Sequence, residues 1–205
     1  MSFYRERLLP RLVDRACGSE GMDRWRRRVT DGLSGVVIEI GFGSGLNMAA
    51  YPSEVTKVYA VEPAALARDL AAPRIARSHV DVDHIGLRGE SIPLEDDSCD
   101  CALSTFTLCT IPDVAQALAE IRRVLKPGGR FHYLEHGAAP DESVARWQRR
   151  LEPIQKFVAD GCHLTRDPTG LVRAAGFEVE RSESRYASGP KPWVFFTEGF
   201  AVNPT

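Results

Sequence analysis

The feature that most constrains this chain is a short apolar run that ends in three alternating glycines. Residues 36–45 read Val-Val-Ile-Glu-Ile-Gly-Phe-Gly-Ser-Gly. The β-branched run suits a strand that is covered on both faces at the centre of a parallel sheet. Gly41, Gly43 and Gly45 permit a sharp turn and leave no side chain between the backbone and a ligand. The stretch therefore predicts a buried strand that ends in a ligand-binding loop; the alternative is a tight glycine turn in an ordinary α/β protein.

An acidic residue further along the chain narrows the class of ligand. Residues 58–61 form a second strand-like run that ends in Glu62. A carboxylate at this place can accept hydrogen bonds from both hydroxyls of a ribose. A dinucleotide fingerprint would place a third glycine three positions after the second, beneath a pyrophosphate, but Leu46 stands there. The loop therefore predicts a nucleoside ligand without a pyrophosphate.

Strand-like and helix-like segments alternate along the rest of the chain. The alternation predicts an α/β fold of the Rossmann-like, doubly wound type, with a mostly parallel seven-stranded sheet, helices on both faces and N-terminal helices. The chain has no Tyr-x-x-x-Lys pair of the short-chain dehydrogenase type and no Gly-x-x-x-x-Gly-Lys-Ser/Thr phosphate loop. The predicted strands cover residues 36–40, 57–61, 80–85, 101–104, 130–135, 177–180 and 193–200, and the predicted helices after the glycine loop cover residues 46–50, 63–77, 113–125, 144–158 and 168–176.

Two motifs together resemble the class I S-adenosylmethionine-dependent methyltransferases. The first is Glu-Ile-Gly-Phe-Gly-Ser-Gly at residues 39–45, and the second is Val-Leu-Lys-Pro-Gly-Gly-Arg at residues 124–130, before a strand. The resemblance implies S-adenosyl-L-methionine as the cofactor. It implies that the loop residues Glu39, Gly41, Gly43 and Gly45 hold the methionine part and that Glu62 holds the ribose.

The same resemblance implies further contacts at the ends of the third and fourth strands. Glu90 or Ser91 is expected beside the adenine, although either residue could instead cap backbone amides in a loop. Thr105 and Thr107 belong to a polar and aromatic segment, residues 105–109, where the cofactor and the acceptor are expected to meet. Ligands of open α/β sheets bind at the carboxyl ends of the strands, near the point where the strand order reverses. The apolar residues of the helix predicted at residues 144–158 are expected to form a wall over the cofactor.

A narrower resemblance covers residues 35–200. Thr-Leu-Cys at residues 107–109, Leu-Glu-His-Gly-Ala-Ala at residues 134–139 and above all Asp-Gly-Cys-His-Leu-Thr-Arg at residues 160–166 look like the branch that includes the animal thiol S-methyltransferases. That branch implies methyl transfer to a small molecule with a thiol as acceptor. We expect no N-terminal hydrophobic anchor of the kind found in the animal proteins, and this difference puts membrane attachment and the substrate in question.

Composition limits the organisation and the partners of the chain. Its 205 residues, 43% of them hydrophobic, suit one compact domain, with residues 1–34 as a helical segment that covers a methyltransferase domain of residues 35–205. A net charge of -2 argues against nucleic acid as a partner. Four arginines, Arg24, Arg26, Arg27 and Arg28, are predicted to form a solvated helix face; the alternative is a patch for an anionic substrate or a membrane surface.

Cysteine usage and hydropathy predict a cytoplasmic protein. Five cysteines at irregular spacings indicate reduced thiols. Cys99 and Cys101 have no second pair, so no metal site is expected. We expect no signal peptide and no integral membrane segment, because no run of about eighteen apolar residues occurs.

The chemistry expected of such an enzyme needs little more than positioning. Methyl transfer from a sulfonium is an in-line displacement, and the cofactor already carries the activated group. A small thiol has a pKa near ~8.5, so part of it is already thiolate at neutral pH. His136 and His163 are the candidate bases that could deprotonate the remaining thiol. The alternative is that each imidazole only forms hydrogen bonds within its loop. Cys162 is expected to be buried rather than nucleophilic.

Two other functions remain open at this point. One is an O-, C- or N-methyltransferase of a quinone, phenolic or lipid-type metabolite, since such branches share the glycine loop. The other is a non-catalytic module that binds S-adenosylmethionine. The oligomeric state cannot be inferred from one chain.

Overall fold

The computed structural model of the chain describes residues 4–86 and 89–204. Residues 1–3 of the predicted N-terminal helical segment, and residue 205, lie outside the described residues. The described part forms seven strands: β1 (Gly35–Ile40), β2 (Val55–Val61), β3 (Asp81–Gly86), β4 (Cys99–Thr105), β5 (Leu125–His136), β6 (Glu178–Tyr186) and β7 (Phe195–Val202). It also forms a π-helical turn at Tyr4–Leu8 and six α-helices: α1 (Leu9–Cys17), α2 (Glu20–Thr30), α3 (Ala65–Ile75), α4 (Val114–Val124), α5 (Glu142–Val158) and α6 (Pro168–Ala174).

The strands pair into one sheet in the order β3-β2-β1-β4-β5-β7-β6. The first five strands of this order run parallel, and β7 enters antiparallel between β5 and β6. The order reverses at β1, which pairs with β2 on one side and with β4 on the other. The predicted mostly parallel, seven-stranded sheet is therefore confirmed, and its crevice lies beyond the carboxyl ends of β1 and β4.

Each face of the sheet is covered by its own hydrophobic core, because alternate residues of a strand point to opposite faces. Ile38 and Ile40 belong to a core that includes the apolar residues of α4 and Val172 of α6. Val37 belongs to a second core, which includes Trp25 of α2. Helices therefore lie on both faces, as predicted. A fully buried aliphatic or aromatic side chain contributes about 1.5–3 kcal/mol, so α2 is an integral part of the fold.

Three local predictions were wrong. Residues 46–50 form hydrogen-bonded turns rather than a helix, with Met48 N–H donating to Gly45 O and Ala50 N–H to Asn47 O. The Lys-Pro-Gly-Gly stretch at residues 126–129 was predicted to precede the fifth strand. It instead belongs to β5 and forms the irregular start of that strand, where the register against β4 shifts.

The third difference concerns α5. Its apolar residues were predicted to form a wall over the cofactor, but Trp147 and Ile154 are 54% and 62% exposed. Of the residues of α5, only Val144 and Gln148 are buried. Periodicity predicted the helix, but it does not indicate whether the rest of the fold covers the apolar face of that helix.

Candidate functional site

A cavity of about 760 Å³ opens at the carboxyl ends of the central strands. A volume of this size is within the range of small-molecule and cofactor sites. The glycine loop forms one side, and α1 lies across it with Leu9, Pro10 and Val13. Further lining residues come from the segments that follow the strands: Glu62, Pro63 and Ala64 after β2, Gly89 and Glu90 after β3, and Thr105, Phe106, Thr107, Thr110, Ile111 and Pro112 at and after the end of β4.

The three loop glycines are needed for different reasons. All three adopt positive φ, +72°, +59° and +72° for Gly41, Gly43 and Gly45. A Cβ on Gly41 would overlap Oγ1 of Thr107, whereas a Cβ on Gly43 would meet nothing closer than Gly41 O at 3.8 Å. Gly41 therefore permits contact between two loops, and Gly43 keeps the cavity side of the loop open. Gly45 does not line the cavity; its Cβ would lie 3.2 Å from Cβ of Ala71 in α3.

Glu62 lies at the cavity with its carboxylate held by the backbone. Its Oε2 accepts from Gly43 N–H at 2.8 Å and its Oε1 from Ala64 N–H at 2.7 Å. Burial raises the pKa of Glu62, and the two backbone hydrogen bonds oppose that rise. A carboxylate has about four lone-pair sites, so each oxygen can still accept another hydrogen bond. Glu62 is thus oriented before any ligand arrives.

Glu39 does not line the cavity but supports residues that do. It is 1% exposed and accepts from Asn47 Nδ2 at 2.6 Å and from the hydroxyl of Tyr51. Asn47 also donates to Thr105 Oγ1 at 3.1 Å. Burial raises the pKa of Glu39 to about 7, and the hydrogen bonds from Tyr51 and Asn47 limit that rise. Its side chain is therefore part of a buried polar network behind the cavity wall.

Arg26 is a site residue that the sequence analysis missed. It was predicted to lie on a solvated helix face, but it is 4% exposed and lines the cavity. Its guanidinium donates to Asn47 Oδ1 at 2.7 Å and to Cys17 O at 3.2 Å, and its buried Nε has no hydrogen-bond partner among the described residues. The available signal was its spacing along α2, because Arg26 lies three and four residues before the buried Val29 and Thr30 and so shares their face of the helix.

The remaining predicted cofactor residues divide into two groups. Thr105, Thr107 and Glu90 line the cavity, and Thr105 is buried at the end of β4. Ser91 is exposed and is not among the lining residues. The structure therefore brings Gly41, Gly43, Glu62, Glu90, Thr105 and Thr107 together around one cavity, and it places Glu39, Gly45 and Ser91 outside it.

The two candidate histidine bases lie outside the cavity. His163 Nδ1 is 2.8 Å from Glu152 Oε1, in the loop that follows α5. His136 packs against Phe106, with ring centroids 5.1 Å apart; Phe106 lines the cavity and His136 does not. The base role of either histidine stays a prediction.

Cys162 is buried, as expected, but it is not an ordinary core thiol. Its Sγ lies 3.5 Å from Sγ of Cys109 and 3.6 Å from Nδ1 of His136. Hydrogen bonding from Cys109 and from His136 lowers the pKa of Cys162, against the opposing effect of burial. The same bond to Cys162, together with burial, raises the pKa of Cys109.

Comparison with known proteins identifies the family of the chain. Residues 38–133 match a family described as a methyltransferase domain. The chain is 35% identical over 167 residues to thiol S-methyltransferase TMT1B of Rattus norvegicus, covering 80% of this chain and 66% of that protein. It is also 35% identical over 169 residues to TMT1B of Homo sapiens, covering 80% and 68%. The chain belongs to this methyltransferase family.

The family and the fold imply S-adenosylmethionine as cofactor. A solved SAM-dependent methyltransferase from Thermotoga maritima has the same fold, with a TM-score of 0.68 at 21% identity over 97% of each chain. This family member spans about two thirds of the length of the relatives named above. No helix in the part of the chain that the structure describes is long and apolar enough to cross a membrane.

Proposed function

We propose that this protein is an S-adenosylmethionine-dependent methyltransferase that acts on a small apolar thiol. The observation that carries the proposal is the orientation of Glu62. Its carboxylate is held by Gly43 N–H and Ala64 N–H at the edge of a 760 Å³ cavity, with lone pairs left for a ribose. This pairing of a preoriented acid with an open glycine backbone suits a nucleoside and not a pyrophosphate.

Arg26 supports the same orientation of the cofactor. Burial lowers the pKa of Arg26, but a guanidinium remains charged in proteins and its free N–H needs an acceptor. A carboxylate supplies both the acceptor for this N–H and a negative charge beside the guanidinium, in a charge-assisted hydrogen bond. We therefore assign the ribose to Glu62 and the amino-acid carboxylate to Arg26, with the glycine loop beneath the chain that joins them.

Glu39 and Gly45 act indirectly in this assignment. Glu39 holds Asn47, and Asn47 in turn holds Arg26 and Thr105. Gly45 allows the loop to pack against α3. Of the pair predicted beside the adenine, Glu90 is the better candidate because it lines the cavity and Ser91 does not.

The acceptor side of the cavity is mainly apolar. Its wall is formed by Leu9, Pro10 and Val13 of α1 and by Phe106, Ile111 and Pro112 after β4. Such a surface favours an apolar acceptor of modest size. The two relatives described above are thiol S-methyltransferases, and sulfur as the acceptor atom rests on that similarity.

The proposed chemistry is mainly positioning. Bound S-adenosylmethionine supplies a methyl group that is already activated. Residues of the cavity hold the acceptor sulfur in line with that methyl group and exclude water, and alignment of this kind can lower a barrier by several kcal/mol. A thiol with a pKa near ~8.5 ionises sufficiently at neutral pH without a base in the cavity.

The test is a turnover assay with methyl-labelled S-adenosylmethionine and a panel of small thiols, phenols and quinones. Mass spectrometry reads the labelled product and S-adenosylhomocysteine. Labelled thioether is the expected result, and Glu62→Gln should lower its rate at limiting cofactor. Label on oxygen, carbon or nitrogen would support methyltransferase activity but refute a thiol as the acceptor. Cofactor binding without turnover of any acceptor would instead favour a binding module.

A further inference from the structure

Three side chains outside the cofactor cavity converge with the geometry of metal ligands. The Sγ atoms of Cys109 and Cys162 are 3.5 Å apart, and Nδ1 of His136 lies 3.7 Å and 3.6 Å from them. Tetrahedral Zn²⁺ with Zn–S near ~2.3 Å and Zn–N near ~2.05 Å places two sulfurs about 3.8 Å apart and sulfur and nitrogen about 3.6 Å apart. The three donor atoms thus already stand at three corners of such a tetrahedron.

The backbone around the cluster is held firmly. Glu135, fully buried at the end of β5, accepts hydrogen bonds from the N–H groups of Thr107, Leu108 and Cys109 at 3.0–3.2 Å. These bonds fix the turn that carries Cys109 beside His136, the residue that follows Glu135.

The loop that carries Cys162 is fixed to the same turn. His163 N–H donates to Cys109 O at 2.8 Å, and the Arg166 guanidinium donates to Ile111 O at 2.9 Å. A Cβ on Gly161 would lie 3.1 Å from Thr110 O, so the glycine of the Asp-Gly-Cys motif permits this close approach. The three donors therefore come from three segments with little freedom to separate.

We propose that Cys109, His136 and Cys162 form a binding site for a single Zn²⁺ ion, with three protein ligands and one open coordination position. Within the described residues, the group of donor side chains at this point contains these three and no fourth. Both cysteines bind as thiolates, and the thiol protons released on binding pass to solvent. Sites with three protein ligands keep the fourth position for water or an exogenous ligand.

The chemistry of the surroundings favours a soft cation. Thiolate and imidazole ligands select Zn²⁺ or Cu(I) over Mg²⁺ and Ca²⁺. Cys109 and Cys162 are 1% and 5% exposed, and the buried carboxylate of Glu135 adds negative charge beside them. The two thiols become thiolates when they bind the ion, and the cation compensates the negative charge that is then buried. No metal site was expected from the sequence because only the spacing of Cys99 and Cys101 indicated a candidate pair of ligands.

The test uses the full chain, kept reduced, stripped of metal by a chelator and then titrated with Zn²⁺ in competition with a chromophoric chelator. We expect one Zn²⁺ per chain. Cys109→Ala, Cys162→Ala and His136→Ala should each weaken binding by more than about 100-fold, beyond the 10–100-fold that outer-shell partners cause. Cys99→Ala removes another buried cysteine and should leave the affinity unchanged.

Cobalt provides a readout that does not depend on the variants. Co²⁺ added to the wild-type chain should give thiolate-to-metal charge-transfer bands and the spectrum of a tetrahedral ion. A wild-type chain that binds neither ion while alkylation shows all its thiols free would overturn the site. A Co²⁺ spectrum without thiolate ligation, or equal Zn²⁺ affinity in Cys99→Ala and Cys162→Ala, would also overturn it. Metal content is measured without turnover, so this result is independent of the methyltransferase assay.

Discussion

Replacing Glu62 by glutamine is the most direct test of the cofactor site. The change keeps the shape of the side chain and one acceptor oxygen, but it removes the charge and replaces the other oxygen by an NH₂ donor. Hydrogen bonds to charged groups contribute about 1.5–3 kcal/mol. We therefore expect the Kd for S-adenosylmethionine to rise about 10- to 150-fold.

The same substitution has a structural cost that must be measured separately. Both oxygens of Glu62 accept backbone N–H groups, from Gly43 and from Ala64. The glutamine amide can satisfy only one of these donors, so the unfolding free energy should fall by about 1–3 kcal/mol.

Calorimetry, carried out well below the melting temperature of the variant, separates the two effects. Glu180→Gln is the matched control, since it makes the same change of charge on the exposed face of β6. It should leave the Kd unaltered. A Glu62→Gln protein that is folded and binds the cofactor as tightly as wild type would remove Glu62 from the ribose and refute the reasoning.

Two further predictions concern the residues around the loop. Gly41→Ala should lower the unfolding free energy by about 1–3 kcal/mol more than Gly43→Ala, because only the new Cβ at position 41 overlaps Thr107; equal urea midpoints would contradict this. The wild type should lose up to about 3 kcal/mol of stability relative to Glu39→Gln as the pH rises from 4.5 to about 7. The sign follows because the folded state keeps the proton of Glu39 to higher pH than the unfolded chain does. If the difference in unfolding free energy between wild type and Glu39→Gln, measured with urea, were the same at pH 5 and at pH 8, the raised pKa of Glu39 would be refuted.

Much of the fold followed from local pattern. The apolar run at residues 36–40, the glycines after it and the alternation of strands and helices predicted the sheet because each is a property of a short stretch. Boundaries were less accurate where long-range pairing decides them. The strand predicted at residues 177–180 continues to Tyr186 as β6, because polar residues up to that point pair antiparallel with β7.

The site residues that could be predicted from the sequence are those that lie at or directly after the ends of predicted strands. Gly41, Gly43, Glu62 and Thr105 line one cavity because parallel strands end at the same edge of a sheet. Arg26 was not predictable from charge, since three of the four arginines in its cluster retain the partly or fully exposed positions that the pattern indicated. Its burial depends on how α2 lies against the loop.

The sequence by itself determined the fold class, the glycine loop and the acid of the nucleoside site, because these depend on backbone conformation and on residues near strand ends. Only the tertiary structure decided that the apolar residues of α5 face outward, that Arg26 lines the cavity and that Cys109, His136 and Cys162 meet. Cys109 and His136 are 27 positions apart, and Cys162 is a further 26 along the chain. Their donor atoms come within 4 Å of one another because β4 and β5 end at the same edge of the sheet and the loop after α5 is hydrogen-bonded to the turn that follows β4. No spacing along the chain indicates that convergence.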